Sequence, residues 1–100
     1  MSWVKDAINA LQTGTTAQVR PVGGSMRGRI ESGQLVTISP ITADAVKIDD
    51  VVFIRWKGNY ILHIVKDVGE AGFLIGNNIG KINGWANRND VLGVVTAVED

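Results

Sequence analysis

The segment from Val51 to Val65 constrains the fold more than any other. Val51-Val52-Phe53-Ile54-Arg55-Trp56 is β-branched and aromatic, the composition that suits a pleated, half-buried surface. Lys57-Gly58-Asn59 supplies a turn, and Tyr60-Ile61-Leu62-His63-Ile64-Val65 returns as a second strand. An antiparallel hairpin this apolar must be covered, so the rest of the chain has to provide more strands or a helix to pack on it.

Further strands are legible. Gln18–Val22 is a short candidate, Leu35–Ile38 another closed by Ser39-Pro40, and Phe73–Ile75 and Val91–Val98 supply the remainder. Residues 76–90 read as a loop rich in Asn and Gly, with Asn83-Gly84 suited to a tight turn. Residues 3–12 read as a short helix. Trp3, Val4, Ala7, Ile8 and Leu11 recur at helical spacing, with Lys5, Asp6 and Asn9 opposite and Ser2 placed as N-cap. The helix is expected to pack on the core edge, with a partner or a membrane surface as the alternative. The expected fold is therefore mainly β, an antiparallel β domain with a short N-terminal helix. The expected organisation is one domain over residues 1–100, with helix 1–13 and a β core over 19–96.

Composition excludes several function classes. Ten basic and ten acidic residues give no net charge, against the basic excess of a nucleic-acid binder. There is no cysteine and one histidine, so disulfides and thiolate metal sites are excluded and a structural zinc site is not expected. No metal or other cofactor is anticipated. No apolar run is long enough to cross a bilayer, and Met1–Asp6 lacks the features of a signal peptide, so no membrane anchor and a soluble, cytoplasmic protein are expected.

Two residues stand out as carriers of chemistry. Ser25 follows Gly23-Gly24, whose backbone can turn sharply and expose N–H groups. A serine hydroxyl is a weak nucleophile that needs a base and oxyanion donors, here the backbone N–H groups of Gly24 and Ser25. Gly-Gly-Ser is also an ordinary turn, or, with Arg27 and Arg29, an anion-binding nest. His63 is the one histidine and lies in an apolar strand, where a neutral imidazole can serve as a general base or simply as a satisfied core residue. Lys66 competes with it. In an unbroken strand the two fall on opposite faces, so only one can face the site. Trp56, Tyr60 and Trp85 are candidates for a peptide groove or for plain packing.

The order of these features is distinctive. Val22-Gly23-Gly24-Ser25-Met26-Arg27-Gly28-Arg29-Ile30-Glu31-Ser32-Gly33-Gln34-Leu35-Val36 is followed by Val46-Lys47-Ile48-Asp49-Asp50-Val51-Val52-Phe53, then by Tyr60–Val65 and by Gly76-Asn77-Asn78. Over roughly residues 19–96 this resembles the superfamily of type I signal peptidases and self-cleaving SOS-type repressors, in its histidine-base branch. The resemblance implies that fold, Ser25 as nucleophile, His63 as base, and a peptide or protein substrate cut within an extended segment. It implies equally a catalytically degenerate peptide- or protein-binding regulatory module on the same fold. The chain departs from the family at several points. Gly28 stands where a proline is usual, Gly33-Gln34 and Asp49-Asp50 where Gly-Asp turns are, and Ile64 where an arginine is. The family aspartate that orients the histidine has no counterpart, which leaves Asn77, or Asp90 if the loop folds back, as the candidate orienter.

Overall fold

The computed structural model describes residues 3–24 and 26–100. Met1, Ser2 and Ser25 lie outside the described residues, and with them the N-cap and nucleophile positions named above. Helix α1 spans Trp3–Gln12. Seven strands follow: β1 Ala17–Val19, β2 Leu35–Pro40, β3 Val51–Trp56, β4 Asn59–Val68, β5 Gly72–Gly76, β6 Ile82–Asn87 and β7 Val91–Glu99. Every neighbouring pair is antiparallel, in the order β1-β2-β7-β3-β4-β5-β6. The chain is thus mainly antiparallel β with one short N-terminal helix.

The β3–β4 hairpin is the centre of this sheet. Lys57 and Gly58 both have positive φ, 50° and 82°, the two-residue turn whose twist matches that of the flanking strands. Its register pairs Val52 with His63 and Phe53 with Leu62. Alternation then divides the core in two. Val51, Phe53, Leu62 and Ile64 pack in one buried cluster with Ala7 and Leu11 of α1, Val36, Ile38, Met26 and Ile30. Val52, Ile54 and Val65 pack in a second with Val46, Phe73, Ile75 and Ala86.

Three expectations need correction. Residues 82–87 are not loop but strand β6, held by pairing with β5 from Gly72↔Asn87 to Gly76↔Ile82. Asn83-Gly84 therefore makes no turn: it sits where the β5–β6 register shifts between Ile75 and Gly76, so Asn83 is the extra residue of a bulge. The face argument against Lys66 also changes, because β4 is not unbroken. Its pairing with β5 jumps from Val65↔Ile75 to Asp67↔Leu74, and Lys66 is the inserted residue.

The β5–β6 ladder depends on Gly72. A β-carbon there would lie 1.9 Å from the Ala86 carbonyl oxygen and 3.0 Å from its carbon, both backbone atoms. Gly72→Ala is expected to destabilise by about 3 kcal/mol, the upper range for overpacking because the backbone cannot yield cheaply. The lowered midpoint of urea unfolding checks this, and an unchanged midpoint would contradict the close approach.

Candidate functional site

The segment between β1 and β2 is folded tightly on itself. Gly33 N–H donates to the Pro21 carbonyl at 2.9 Å, and Arg20 Nη1 donates to the Gly33 carbonyl at 2.8 Å, which together close its base. Arg27 N–H donates to the Gly24 carbonyl at 3.2 Å, and Arg29 and Ile30 N–H both reach the Met26 carbonyl. Met26 and Ile30 are each only 5% exposed and anchor the segment in the first core cluster. Asn78 Nδ2, from the β5–β6 connection, donates to the Arg27 carbonyl at 2.7 Å and fixes the other side. The immediate neighbours of Ser25 are therefore held by several independent contacts.

Pro21, Val22, Gly23 and Met26 help to line a mostly apolar cleft of about 160 Å³. Tyr60, Ile61, Leu62 and His63 of β4 line it too, as does Trp3 of α1. Trp3 and Tyr60 are placed by the same buried ring, Phe53, at centroid distances of 5.7 and 5.8 Å. Trp56 packs instead with the second core cluster, and Trp85 is 55% exposed on β6. The segment preceding Ser25 and the strand carrying His63 thus border the same space. Met26 belongs to one core cluster, whereas His63 pairs with Val52, whose side chain lies in the other. The cleft runs along the edge of β4, where the two faces meet.

That edge is free. On one side β4 pairs with β3 from Asn59 to Ile64. On the other, β5 begins to pair only at Ile64. Val65 N–H donates to the Asp50 carbonyl at 2.8 Å and the Val65 carbonyl accepts from Asp49 N–H at 2.7 Å, so odd positions of β4 bond towards β3. Alternation then turns the N–H and C=O groups of Tyr60 and Leu62 to the cleft side.

His63 is 8% exposed. Its Nδ1 lies 2.5 Å from the Leu62 carbonyl. A carbonyl only accepts, so Nδ1 carries the hydrogen and the lone pair of the neutral ring is on Nε2. Burial pushes the imidazole below its ordinary 6.5, and the positive charge of Lys81 adds to this. The bonds with Leu62 and with the Asn83 side chain oppose the fall without cancelling it. The ring is consequently neutral at pH 7, the state a general base requires.

Of the two candidate orienters, Asn77 is buried, but its Oδ1 accepts from Ile79 N–H at 3.0 Å and Lys81 N–H at 2.9 Å and shapes the loop. Asp90 ends the 3-10 turn Arg88–Asp90 ahead of β7, where Val91 pairs with Ile54. His63 is engaged by Leu62 and Asn83 instead, and Lys81 is the charge that acts on it. Lys66 runs along β5, its Cε 3.1 Å from where a β-carbon of Gly76 would stand, and it does not line the cleft. Arg29 is paired with Asp49, which leaves Arg27 as the other cation beside the glycine pair, its Nη2 3.2 Å from the position of a Gly24 β-carbon.

Sequence reasoning missed Trp3 as a cleft residue, and also Lys81 and Asn83 as neighbours of His63. For Asn83 the signal, Asn followed by Gly, was read as a turn. Among the described residues no group of three or more His, Asp or Glu is placed to hold a metal ion, and no helix is long and apolar enough to cross a membrane. The chain matches no protein-family model and none of the curated proteins searched.

Proposed function

We propose that this chain is a serine peptidase-like protein that cuts an extended peptide, with Ser25 as nucleophile and His63 as general base. The observation that carries this reading is the cleft itself. A free strand edge at Tyr60–His63 faces the segment that precedes Ser25, and the slot between them suits a peptide that adds as a strand. Main-chain hydrogen bonds would hold the peptide. The apolar wall of Trp3, Met26 and Tyr60 would select its side chains. In the reaction His63 Nε2 takes the Ser25 hydroxyl proton as Oγ attacks the scissile carbonyl. The backbone N–H groups of Gly24 and Ser25 serve the oxyanion, and His63 returns the proton to the leaving amine. Leu62, through its carbonyl, favours the tautomer whose lone pair is on Nε2, as this role needs.

A second reading has its own support. Among the described residues no carboxylate engages His63, whereas a serine triad uses one to stabilise the imidazolium. On that reading the chain is a peptide- or protein-binding regulatory module on the same fold, with the cleft retained for binding. One experiment separates the two. The purified protein and Ser25→Ala are incubated with a peptide library between pH 6 and 9, and cleavage and binding are read by mass spectrometry and by fluorescence polarisation. The peptidase reading expects cleavage by the wild type alone, with binding kept by Ser25→Ala. Equal behaviour of the two proteins, with peptide bound and none cut, selects the binding module.

A further inference from the structure

Charge is distributed unevenly around the cleft. Among the described residues that line it, Glu31 is the one carboxylate, and no lysine or arginine takes part. Apart from Ser32 and His63, the rest of the lining is apolar or aromatic. Closure of the β1–β2 segment brings Glu31 there. The bond from Gly33 N–H to the Pro21 carbonyl ties the end that carries Glu31 to the start that carries Pro21, Val22 and Gly23. Glu31 is then held at two points. Its N–H donates to Gln34 Oε1 at 2.7 Å, and its Oε2 accepts from Gly28 N–H at 2.7 Å.

This carboxylate has no counter-charge of its own. The ion pairs among the described residues are Arg29–Asp49 and Arg88–Asp44, and Glu31 is in neither. The cations near it in sequence are engaged elsewhere. Arg29 is taken by Asp49, Arg20 donates to the Gly33 carbonyl, and Arg27 lies against Gly24 without lining the cleft. A carboxylate has about four acceptor sites, and Gly28 uses one of them. We propose that Glu31 is a specificity-determining residue, and that the cleft takes an extended peptide with a lysine or arginine among apolar side chains. This rests on the peptide-binding reading above, in its catalytic or its regulatory form, and names the class of peptide. The apolar side chains lie against Trp3, Met26 and Tyr60. The methylene stem of the basic residue adds to that contact while its charged head meets Glu31. The faces of Trp3 and Tyr60 attract a cation as well. A peptide with an acidic residue in that place is rejected, because like charges then face each other.

The test is a binding comparison by fluorescence polarisation, with Ser25→Ala in every protein so that bound peptide stays intact. The probes are short valine- and threonine-rich peptides that differ at one position, scanned along the peptide, in carrying lysine, glutamine or glutamate. At the position that meets Glu31, lysine is expected to bind about three- to tenfold more tightly than glutamine, between an exposed ion pair and a charged hydrogen bond in strength. Glutamate should bind more weakly than glutamine, and added salt should narrow both gaps. Glu31→Gln keeps an oxygen for Gly28 N–H and removes the charge, so it should stay folded and lose the discrimination. Glu31→Lys should favour the glutamate peptide. Equal binding of the three peptides at every position, read without any Glu31 variant, would overturn the proposal. So would a lysine preference that survives in Glu31→Gln. In both cases peptide is still bound and the peptide-binding reading stands. If no peptide binds at all, that reading falls and the proposal falls with it.

Discussion

On the peptidase reading, replacing His63 with alanine is expected to lower kcat/KM for peptide cleavage by about 10²- to 10⁴-fold, the range for loss of a general base. That corresponds to about 3–5 kcal/mol of transition-state stabilisation. Peptide binding should be little affected, because Tyr60 and Leu62 offer main-chain groups that the substitution leaves in place. The pH dependence gives a second handle. The folded imidazole is held below 6.5, first by burial and then by Lys81. The ring therefore stays neutral as pH falls below 6.5, and on the peptidase reading the acid limb of kcat/KM should lie beneath that value. Stability carries the same signature with a definite sign. Between the depressed folded value and 6.5 the unfolded chain binds more protons than the folded one, so stability rises with pH through that window and is lost as pH falls through it. Above 6.5 the contribution is fully present. Urea unfolding across this window should show the slope in wild type and not in His63→Ala. Full activity in the variant would remove His63 from the chemistry.

The largest stability effect is expected at Phe53. It is fully buried, lies on the central hairpin, and contacts both Trp3 and Tyr60. Phe53→Ala is expected to destabilise by about 3–5 kcal/mol, transfer and cavity contributions combined. For a chain this short, that is a large part of an expected total of about 5–15 kcal/mol. The thermal midpoint should fall by more than about 10 °C. The consequence reaches the cleft, because the two rings that wall it lean on Phe53. A partially folded Phe53→Ala protein should bind peptide more weakly even when His63 and Ser25 are intact. A thermal midpoint within a few degrees of wild type would show that the hairpin does not carry the core in this way.

The sequence made the central architecture legible because periodicity and burial agree there. Helix Trp3–Gln12 and the hairpin Val51–Val65 have apolar residues at the spacing their faces require, and the structure has both where expected. Strand β6 was hidden for the opposite reason. Ile82-Asn83-Gly84-Trp85-Ala86-Asn87 has the composition of a turn, and only its ladder with β5 makes it a strand. The bulges at Lys66 and Asn83 were hidden too, since a register shift is a property of two strands and leaves little mark on either alone. For the same reason the site was half legible. The Gly-Gly-Ser-Met run and His63 stand out by residue type, whereas Asn83 comes to the histidine across the sheet, from a place that sequence spacing does not reveal.

The free edge of β4 has a wider meaning. A sheet with one short stretch that no strand pairs among the described residues is an unfinished fold, and on the proposed reading the peptide that occupies the slot becomes, for that time, part of the protein's own secondary structure. Ligand recognition and conformational stability then draw on the same hydrogen bonds. Occupancy stabilises the native state in proportion to affinity and concentration. On the proposed reading, cutting the bound segment removes a structural element that the chain had borrowed. Turnover would then alternate between a completed sheet and an incomplete one, and release of the fragments would be a local unfolding event as much as a dissociation.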